Sequence, residues 1–324
     1  MHFTFGAYRI QSNSELPRTV MDKASTAHKM AKQDAGAAVL WYDDRLLEKL
    51  RLETKYTEQM HRGLAQDEFK LYLQPKVALS GLRPVGAEAL VRWELPGAGT
   101  VYPDSFIPLF EKNGSIAELD FYMLKKVCGY LRQRLDAGAE LFTISVNFSR
   151  VTLYQPTFYE SFIATVDAHQ IPRRCVEIEA TESAFNEISA SVLQLLARLQ
   201  SAGFPISMDD FGAGYSNLNL LSKLPIDIIK LDREFILELD TNPNSKGIIA
   251  CSIELAHTMH IKVVCEGVEQ AEHVAFLRAA GCDVAQGYYF SRPIPQQAFT
   301  QAYPFTAASA APAARPLPAP APLA

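Results

Sequence analysis

The chain has 324 residues, of which 48% are hydrophobic and 21% are charged, and its formal net charge is −5. This composition is that of a globular protein, and it disfavours a nucleic-acid groove or a face for anionic membranes, so no DNA partner is expected. No apolar run reaches the roughly 18 residues of a membrane span, and the N-terminus lacks a signal segment, so no membrane segment is expected.

The first 43 residues are predicted to form a strand (HFTFGAYRI), a helix at about 17–33 and a second strand (AAVLWYD). Three elements cannot enclose a core, so this segment must dock on something or belong to a larger domain. Residues 44–67 follow as a predicted connecting helix. Its apolar stripe has i+4 spacing and consists of Leu52, Tyr56, Met60 and Leu64.

Residues 68–300 are predicted to form one domain in which short apolar runs alternate with helical patterns. The helices are expected near 104–112, 117–136, 150–168, 184–202, 233–238, 245–259 and 269–280. Alternation at this spacing indicates βα units, and counting FKLYLQPKV as the first strand gives the eight strands that close an α/β, TIM-like (β/α)8 barrel. Residues 301–324 are Ala/Pro-rich and are expected to form a disordered tail.

One connection departs from a regular barrel. Only ALSGL lies between Val77 and Arg83, and its Ser-Gly is a turn signal. Because a parallel crossover needs about a dozen residues, the first two strands are predicted to pair antiparallel.

The five cysteines are odd in number and form no CxxC pair. They are Cys128, Cys175, Cys251, Cys265 and Cys282. This usage is typical of reduced, mostly buried thiols in a cytoplasmic protein, and it does not favour a zinc site.

Seven apolar, strand-like runs from residue 83 onward end in polar residues. These are Glu88, Asn147, Glu179, Asp209 with Asp210, Lys230, Glu266 and Gln286. Buried charges without partners cost several kcal/mol, and a parallel barrel gathers the carboxyl ends of its strands onto one face. The series therefore predicts one carboxylate-rich pocket, whereas unrelated surface carboxylates explain a single member but not all of them.

Oxygen ligands and an Asn amide favour a hard cation, Mg²⁺ or Mn²⁺, over zinc. A pair of such ions suits phosphoryl chemistry. A barrel glycosidase that uses two carboxylates is a further possibility, but it leaves Asn147, Lys230 and three acids unexplained.

Three residues have alternative roles. Lys230 is expected to hold or deprotonate a water, with a partly lowered pKa, or to form a salt bridge with a neighbouring aspartate. Arg92 could clamp a phosphate oxygen or form a surface ion pair. Glu182 could be a metal ligand, a first-turn helix residue, or a brace for the loop at Gly212 and Gly214.

Seven motifs in chain order resemble the EAL domain family over about residues 68–300. They are EALVRW at 88–93, NFS at 147–149, EATES at 179–183, DDFGAGYSNL at 209–218, IKLD at 229–232, CEGVE at 265–269 and QGYYFSRP at 286–293. The resemblance implies hydrolysis of cyclic di-GMP to linear pGpG. A non-catalytic cyclic di-GMP receptor or a protein-interaction module is the alternative within the family. Ala180 and Cys265 differ from commoner residues, and no motif position is lost.

The resemblance also implies residue roles. The implied ligands of two Mg²⁺ or Mn²⁺ ions are Glu88, Asn147, Glu179, Asp209, Asp210 and Glu266. Catalytic roles fall to Lys230, Asp232, Glu266 and Glu182, and substrate contacts to Gln74, Leu90, Arg92 and Gln286. Lys230 and Asp232 match positions that organise the water and the second ion. Glu182 resembles the glutamate that holds the loop after strand five (about 211–222), through which such domains form homodimers.

Residues 1–45 resemble, more weakly, the C-terminal third of a GGDEF domain. The similarity rests on FTFGAYRI, MDKASTAHKMAK and LWYDD. The GGDEF signature itself does not occur in the chain, so no cyclase activity is expected.

Overall fold

A computed structural model of the protein describes residues 3–32, 39–186, 189–212, 221–239 and 241–304. The chain divides into two units, Met1–Gln66 and Asp67–Ala324. Residues 305–324 of the predicted tail lie outside the described residues. The tail was predicted to begin too early, because its first two residues, 301 and 302, end a helix.

The first unit contains β1 Phe5–Ala7, α1 Pro17–Ala31, β2 Val39–Trp41 and α2 Asp44–Ala65. β1 and β2 pair in parallel, with Phe5 opposite Val39, which confirms the strand–helix–strand prediction with shorter strands. The helix predicted at 44–67 is observed as α2, and Asp43 caps it by accepting a hydrogen bond from the Leu46 N–H at 2.7 Å. Of the predicted stripe, Met60 is buried and Leu52 is exposed.

The second unit is a closed barrel of eight strands within the described residues. The strands are β3 Phe69–Ala78, β4 Arg83–Leu95, β6 Thr143–Asn147, β7 Val176–Thr181, β8 Ile206–Phe211, β9 Ile228–Leu231, β10 Lys262–Cys265 and β11 Val284–Ala285. Two short strands extend this sheet, β5 Gly99–Val101 beside β4 and β12 Ile294–Pro295 beside β3. The predicted α/β barrel is confirmed.

β3 runs against both of its barrel neighbours, β4 and β11, while the other neighbouring barrel strands pair in parallel. The short turn after Ala78 forces this inversion, because it is too short for a helical crossover. The antiparallel first pair is therefore confirmed.

Helices flank the barrel strands along the chain. They are α3 Ile107–Asn113, α4 Ile116–Asp136, α5 Arg150–Leu153, α6 Phe158–Ala168, α7 Glu182–Asn186, α8 Ala190–Ser201, α9 Arg233–Leu237, α10 Ser245–Thr258, α11 Ala271–Ala279 and α12 Gln296–Ala302, with 3₁₀ turns at Pro103–Ser105 and Arg173–Cys175. None of the helices in the described ranges combines the length and apolar character needed to cross a bilayer.

Two of the predicted helices are interrupted. The span 150–168 contains α5 and α6, separated at 154–157, where Pro156 lacks the N–H that a continuous helix needs. The span 184–202 contains the end of α7 and all of α8. Ser189 begins α8 by accepting a hydrogen bond from the Val192 N–H, which a continuous helix would bond to its own backbone.

Aromatic side chains fill the layer between helices and barrel. Phe148, Phe158 and Phe162 pack within 5.2–5.6 Å of one another between ring centroids, and Phe204 lies 4.9 Å from Phe162. Four of the five cysteines are buried and all five are unbridged, Cys251 being the exposed one. The burial of most thiols agrees with the sequence prediction.

Candidate active site

The polar residues of the strand-end series lie along one rim of the barrel because the parallel strands are in register. Glu179 at the end of β7 faces Asn147 at the end of β6, and Asp209 on β8 faces Thr181. The buried strands thus bring together side chains from the whole length of the domain, as expected for the carboxyl face of a barrel.

Lys230 lies at the centre of this rim and is 1% exposed. Its Nζ lies 2.5 Å from Glu179 Oε1 and 2.6 Å from Glu266 Oε1. Asp209 Oδ1 is at 3.0 Å and Glu88 Oε2 at 3.4 Å. One ammonium group from β9 therefore contacts carboxylates from four other strands or strand ends.

The pKa of Lys230 is raised, which makes the prediction of a lowered value wrong. Burial disfavours the ammonium form, but the carboxylates of Asp209, Glu179, Glu266 and Glu88 together outweigh it and raise the pKa well above its usual range. In this structure Lys230 is therefore held as an ammonium that donates hydrogen bonds to the surrounding carboxylates.

The carboxyl groups around Lys230 have different pKa values. Burial opposes ionisation of Glu179, but the ammonium groups of Lys230 and Lys76 outweigh it and lower the pKa to about 2. Burial raises the pKa of Glu266 to about 7, and it raises that of Asp209 well above the usual range. One ammonium cannot compensate so many acids, so part of the cluster is driven towards the protonated form.

Glu88 is held by side-chain amides on both of its oxygens. Asn147 Nδ2 donates to Oε1 at 3.0 Å, and Gln286 Nε2 donates to Oε2 at 2.5 Å and to Gln74 Oε1 at 3.0 Å. Gln74 in turn donates to the Ser291 carbonyl at 3.1 Å. The Asn147 amide nitrogen thus faces Glu88, which leaves its amide oxygen as the atom able to bind a cation.

Asp210 lies beside the main cluster and near Asp232. It adopts a left-handed φ of 57°, and the pairing of β8 with β9 shifts register between Met208 and Phe211. Burial raises the pKa of Asp210, and the neighbouring Asp232 carboxylate raises it further. Asp232 also begins α9 by accepting a hydrogen bond from the Glu234 N–H at 2.6 Å. Because the strand end is irregular, the adjacent carboxylates have different neighbours: Asp209 contacts Lys230, and Asp210 lies near Asp232.

Glu182 braces the start of the loop after β8. It is buried at the first position of α7, and its Oε2 accepts a hydrogen bond from the Gly212 N–H at 3.0 Å. Of the three alternatives considered for Glu182, the first-turn position and the brace at Gly212 are both observed. Residues 213–220 of that loop, including Gly214, lie outside the described residues.

Leu90 and Arg92 continue the face of Glu88 along β4, beyond Ala89, the last β4 residue paired with β6. The Arg92 guanidinium lies 5.7 Å from the ring centroid of Tyr72 and 5.2 Å from that of Tyr102. Within the described residues, no hydrogen bond or ion pair joins Arg92 to the acidic cluster.

Two glycines allow the loops around Glu266 and Gln286 to approach their neighbours. Gly267 has a φ of 69°, and a Cβ there would lie 2.5 Å from Arg233 Cβ. A Cβ at Gly287 would lie 2.2 Å from the Val268 carbonyl oxygen. The EG and QG sequences are therefore structural requirements for placing Glu266 and Gln286.

Two buried charged residues beneath the rim, Lys76 and Glu177, were not predicted from the sequence. Lys76 Nζ lies 2.8 Å from Glu177 Oε1 and 3.5 Å from Glu179 Oε2. The signal was present, because Glu177 precedes Glu179 by two residues and so shares its face of β7. The strand-end pattern, however, singles out only the last polar residue of each strand.

A third missed residue, Asp120 on α4, supports the NFS segment. Its carboxyl group accepts hydrogen bonds from the Ser149 N–H at 3.0 Å and from the Thr152 hydroxyl at 2.5 Å. Burial raises the pKa of Asp120 to about 7. Nothing in the spacing of α4 distinguishes Asp120 from a surface acid.

The cluster has the donors that a hard divalent cation requires. One oxygen from each of Glu88, Glu179 and Asp209 lies within 4.8 Å of the others. Divalent cations would compensate the excess of carboxylates over the single Lys230 ammonium, and the Asn147 amide oxygen adds a neutral ligand of the same class. The residues therefore fit Mg²⁺ or Mn²⁺ by charge and by ligand type.

Comparison with known proteins is consistent with this geometry. The model of the EAL domain family matches residues 57–293. Cyclic di-GMP phosphodiesterase NbdA from Pseudomonas aeruginosa is 34% identical over 311 residues, which cover 95% of the chain and 40% of NbdA. Cyclic di-GMP phosphodiesterase RocR from the same organism is 37% identical over 238 residues, which cover 74% of the chain and 60% of RocR. The chain thus spans less than two thirds of either relative.

A solved structure described as "PaMucR Phosphodiesterase, c-di-GMP complex" has a similar fold. It matches with a TM-score of 0.72 and 33% sequence identity, and the match covers 76% of this chain and 99% of that one.

Proposed function

Because the chain belongs to the EAL domain family, we propose that it is a metal-dependent phosphodiesterase that hydrolyses cyclic di-GMP to linear pGpG. The observation that carries this proposal is the contact of one buried ammonium, that of Lys230, with four carboxylates at the carboxyl face of a barrel. Such a site can bind divalent cations, and together these bind an anionic phosphodiester.

The proposed ligands of two Mg²⁺ or Mn²⁺ ions are the oxygen donors of the rim. They are Glu88, Asn147, Glu179, Asp209, Asp210 and Glu266. When bound, the ions supply Lewis acidity and neutralise negative charge on the phosphate. The shared neighbour Lys230 touches four of these ligands, and Asp232 lies beside Asp210, which supports placing both within the catalytic machinery.

The chain's own residues have separable tasks in this proposal. Lys230, as an ammonium, donates hydrogen bonds that position a water or a phosphate oxygen. Gln286 and Gln74 fix the orientation of Glu88. Leu90 and Arg92, on the outward continuation of β4, bind the substrate, and the planar guanidinium of Arg92 suits a phosphate oxygen.

Glu182 is proposed to act on catalysis through the loop after β8. Its hydrogen bond to the Gly212 N–H fixes the loop two residues from Asp210. By resemblance to the family, this loop is also proposed to form a homodimer contact in the cytoplasm.

Residues 1–43 are proposed to be the C-terminal remnant of a GGDEF-type domain. The parallel β1–α1–β2 arrangement supports this, as do the exposed apolar side chains of Phe5, Val39 and Trp41 on the two strands. Amide hydrogen exchange tests it, because an incomplete domain should exchange β1 and β2 amides much faster than barrel strands. Equal protection in both units would contradict the proposal.

Incubation with cyclic di-GMP and Mg²⁺ or Mn²⁺, followed by chromatography of pGpG, tests the function. Turnover is expected, and EDTA should abolish it. Lys230→Ala and Glu88→Ala should lose at least about 100-fold in kcat, a loss typical of removing a group that stabilises the transition state. Lys262→Ala and Glu94→Ala are matched controls, since Lys262 is exposed on β10, beside the strand of Lys230, and Glu94 is exposed on β4, the strand of Glu88.

Two outcomes would overturn the assignment. Binding of cyclic di-GMP without turnover in either metal would favour a receptor. If Lys230→Ala or Glu88→Ala hydrolysed cyclic di-GMP at the rate of the parent, the catalytic and metal-binding roles proposed for these residues would be wrong.

A further inference from the structure

A buried ion pair lies inside the barrel beneath the acidic cluster. Lys76 on β3 and Glu177 on β7 are 5% and 3% exposed, and Lys76 Nζ lies 2.8 Å from Glu177 Oε1. The two residues are 101 positions apart in the chain, so only barrel closure brings them together. Burying an ammonium costs several kcal/mol unless it is paired, and Glu177 supplies that pair.

The ion pair reaches the rim through a second contact. Lys76 Nζ also lies 3.5 Å from Glu179 Oε2, while Glu179 Oε1 lies 2.5 Å from Lys230 Nζ. Each oxygen of a completely buried carboxylate therefore faces a different ammonium group. The Glu179 carboxylate is fixed from below by Lys76 and from the rim side by Lys230.

The Lys76–Glu177 pair is better suited to orienting the Glu179 carboxylate than to balancing charge at the rim. Glu177 already neutralises Lys76, so the pair adds no net charge to the site. What the pair adds is a fixed hydrogen-bond donor that limits rotation of the Glu179 carboxylate. Groups that orient a metal ligand in this way typically change metal affinity about 10- to 100-fold when removed.

We infer that Lys76, anchored by Glu177, is a positioning residue for metal binding: it holds the Glu179 carboxylate so that one oxygen faces Glu88 and Asp209. The inference rests on the proposed function only for the role of Glu179 as a metal ligand. It assigns a task to two charged residues that are not themselves proposed to touch metal or substrate.

The test is Mn²⁺ binding by isothermal titration calorimetry, in the absence of substrate. The informative variant is the double substitution Lys76→Met with Glu177→Gln, which removes both charges and leaves no unpaired buried ion. The single Lys76→Met variant leaves the buried Glu177 carboxylate without its ammonium partner, so a folding defect is expected for that variant. Lys70→Met is the matched control, because Lys70 lies on the same strand and pairs with Asp67 at the surface.

The double variant is expected to fold and to bind Mn²⁺ about 10- to 100-fold more weakly, with a fall in kcat/KM that added Mn²⁺ partly restores. Lys70→Met should bind as the parent does. A double variant with the Mn²⁺ affinity of the parent would overturn the positioning role and leave the phosphodiesterase proposal intact. A parent that binds Mn²⁺ without turnover would overturn the phosphodiesterase proposal alone, and a parent without Mn²⁺ binding would overturn both.

Discussion

Gln286 Nε2 donates a hydrogen bond to Glu88 Oε2 at 2.5 Å, although the two residues are 198 positions apart in the chain. The same nitrogen donates to Gln74 Oε1, so β3 and β4 and the segment after β11 are joined by side-chain amides at the rim. Glu88 also accepts from Asn147. The orientation of this carboxylate is therefore set by neutral donors as well as by Lys230.

Gln286→Leu is expected to lower kcat/KM by about 10- to 100-fold, because a hydrogen bond to a charged group contributes about 1.5–3 kcal/mol. Steady-state measurement of pGpG formation checks it. Gln297→Leu, on the exposed side of α12, is the control that should leave turnover unchanged. A Gln286→Leu variant as active as the parent would show that the hydrogen bond from Gln286 is not needed to orient Glu88.

Glu182→Ala is expected to reduce kcat/KM at least about 10-fold, because the Gly212 N–H loses its charged acceptor next to Asp210 and Asp209. Glu182→Gln keeps a carbonyl oxygen at the same position and should retain more activity. The ratio of the two variants is the informative measurement. If both lose activity equally, the negative charge of Glu182 matters and its hydrogen bond does not.

The raised pKa of buried Asp120 leads us to expect that the stability of the protein depends on pH. Its folded pKa of about 7 lies above the ordinary value of 3.8, so its contribution is complete below pH 3.8 and is lost as the pH rises through 7. The rise in pKa from 3.8 to about 7 corresponds to a loss of folding free energy on the order of 4 kcal/mol. The groups around Asp120 are Ser149 and Thr152, whose hydrogen bonds favour the carboxylate, and Glu111, which disfavours it.

Urea unfolding of the parent and of Asp120→Asn between pH 4 and pH 8 measures this contribution. The variant should show a flatter free energy of unfolding than the parent, and their difference should level off above pH 8. Asn retains an acceptor for the Ser149 N–H, which makes it a conservative replacement. Parallel pH profiles of the two proteins would exclude Asp120 as the titrating group.

Much of the fold could be predicted from the sequence because strand and helix periodicities are local. The eight strands and the antiparallel pairing of the first two were predicted from alternation and from the five residues between Val77 and Arg83. Helix interruptions were missed where a local event, such as Pro156 or the Ser189 cap, overrides an apolar pattern. The rim residues were predicted because strand ends converge in any parallel barrel.

The energetics of the site could not be predicted in the same way. The pKa of Lys230 depends on four carboxylates contributed by separate elements, and their sum is set by distances that spacing does not reveal. The contact of Lys76 with Glu177 has the same origin, since it depends on which inward-facing residues share a level after the barrel closes.

Gly287 follows Gln286 in the chain and packs against the backbone of Val268. A Cβ at this position would lie 2.2 Å from the Val268 carbonyl oxygen and 2.3 Å from the Val268 backbone nitrogen. Gly287→Ala should therefore lower the free energy of unfolding by roughly 2–4 kcal/mol, through displacement of two backbone segments. Gly129→Ala is the control, because it lies in α4 with nothing within 4 Å of its Cβ position. That variant should gain up to about 1 kcal/mol from helix propensity. Urea unfolding of the three proteins measures both effects, and equal stability of Gly287→Ala and the parent would mean that the two segments separate freely.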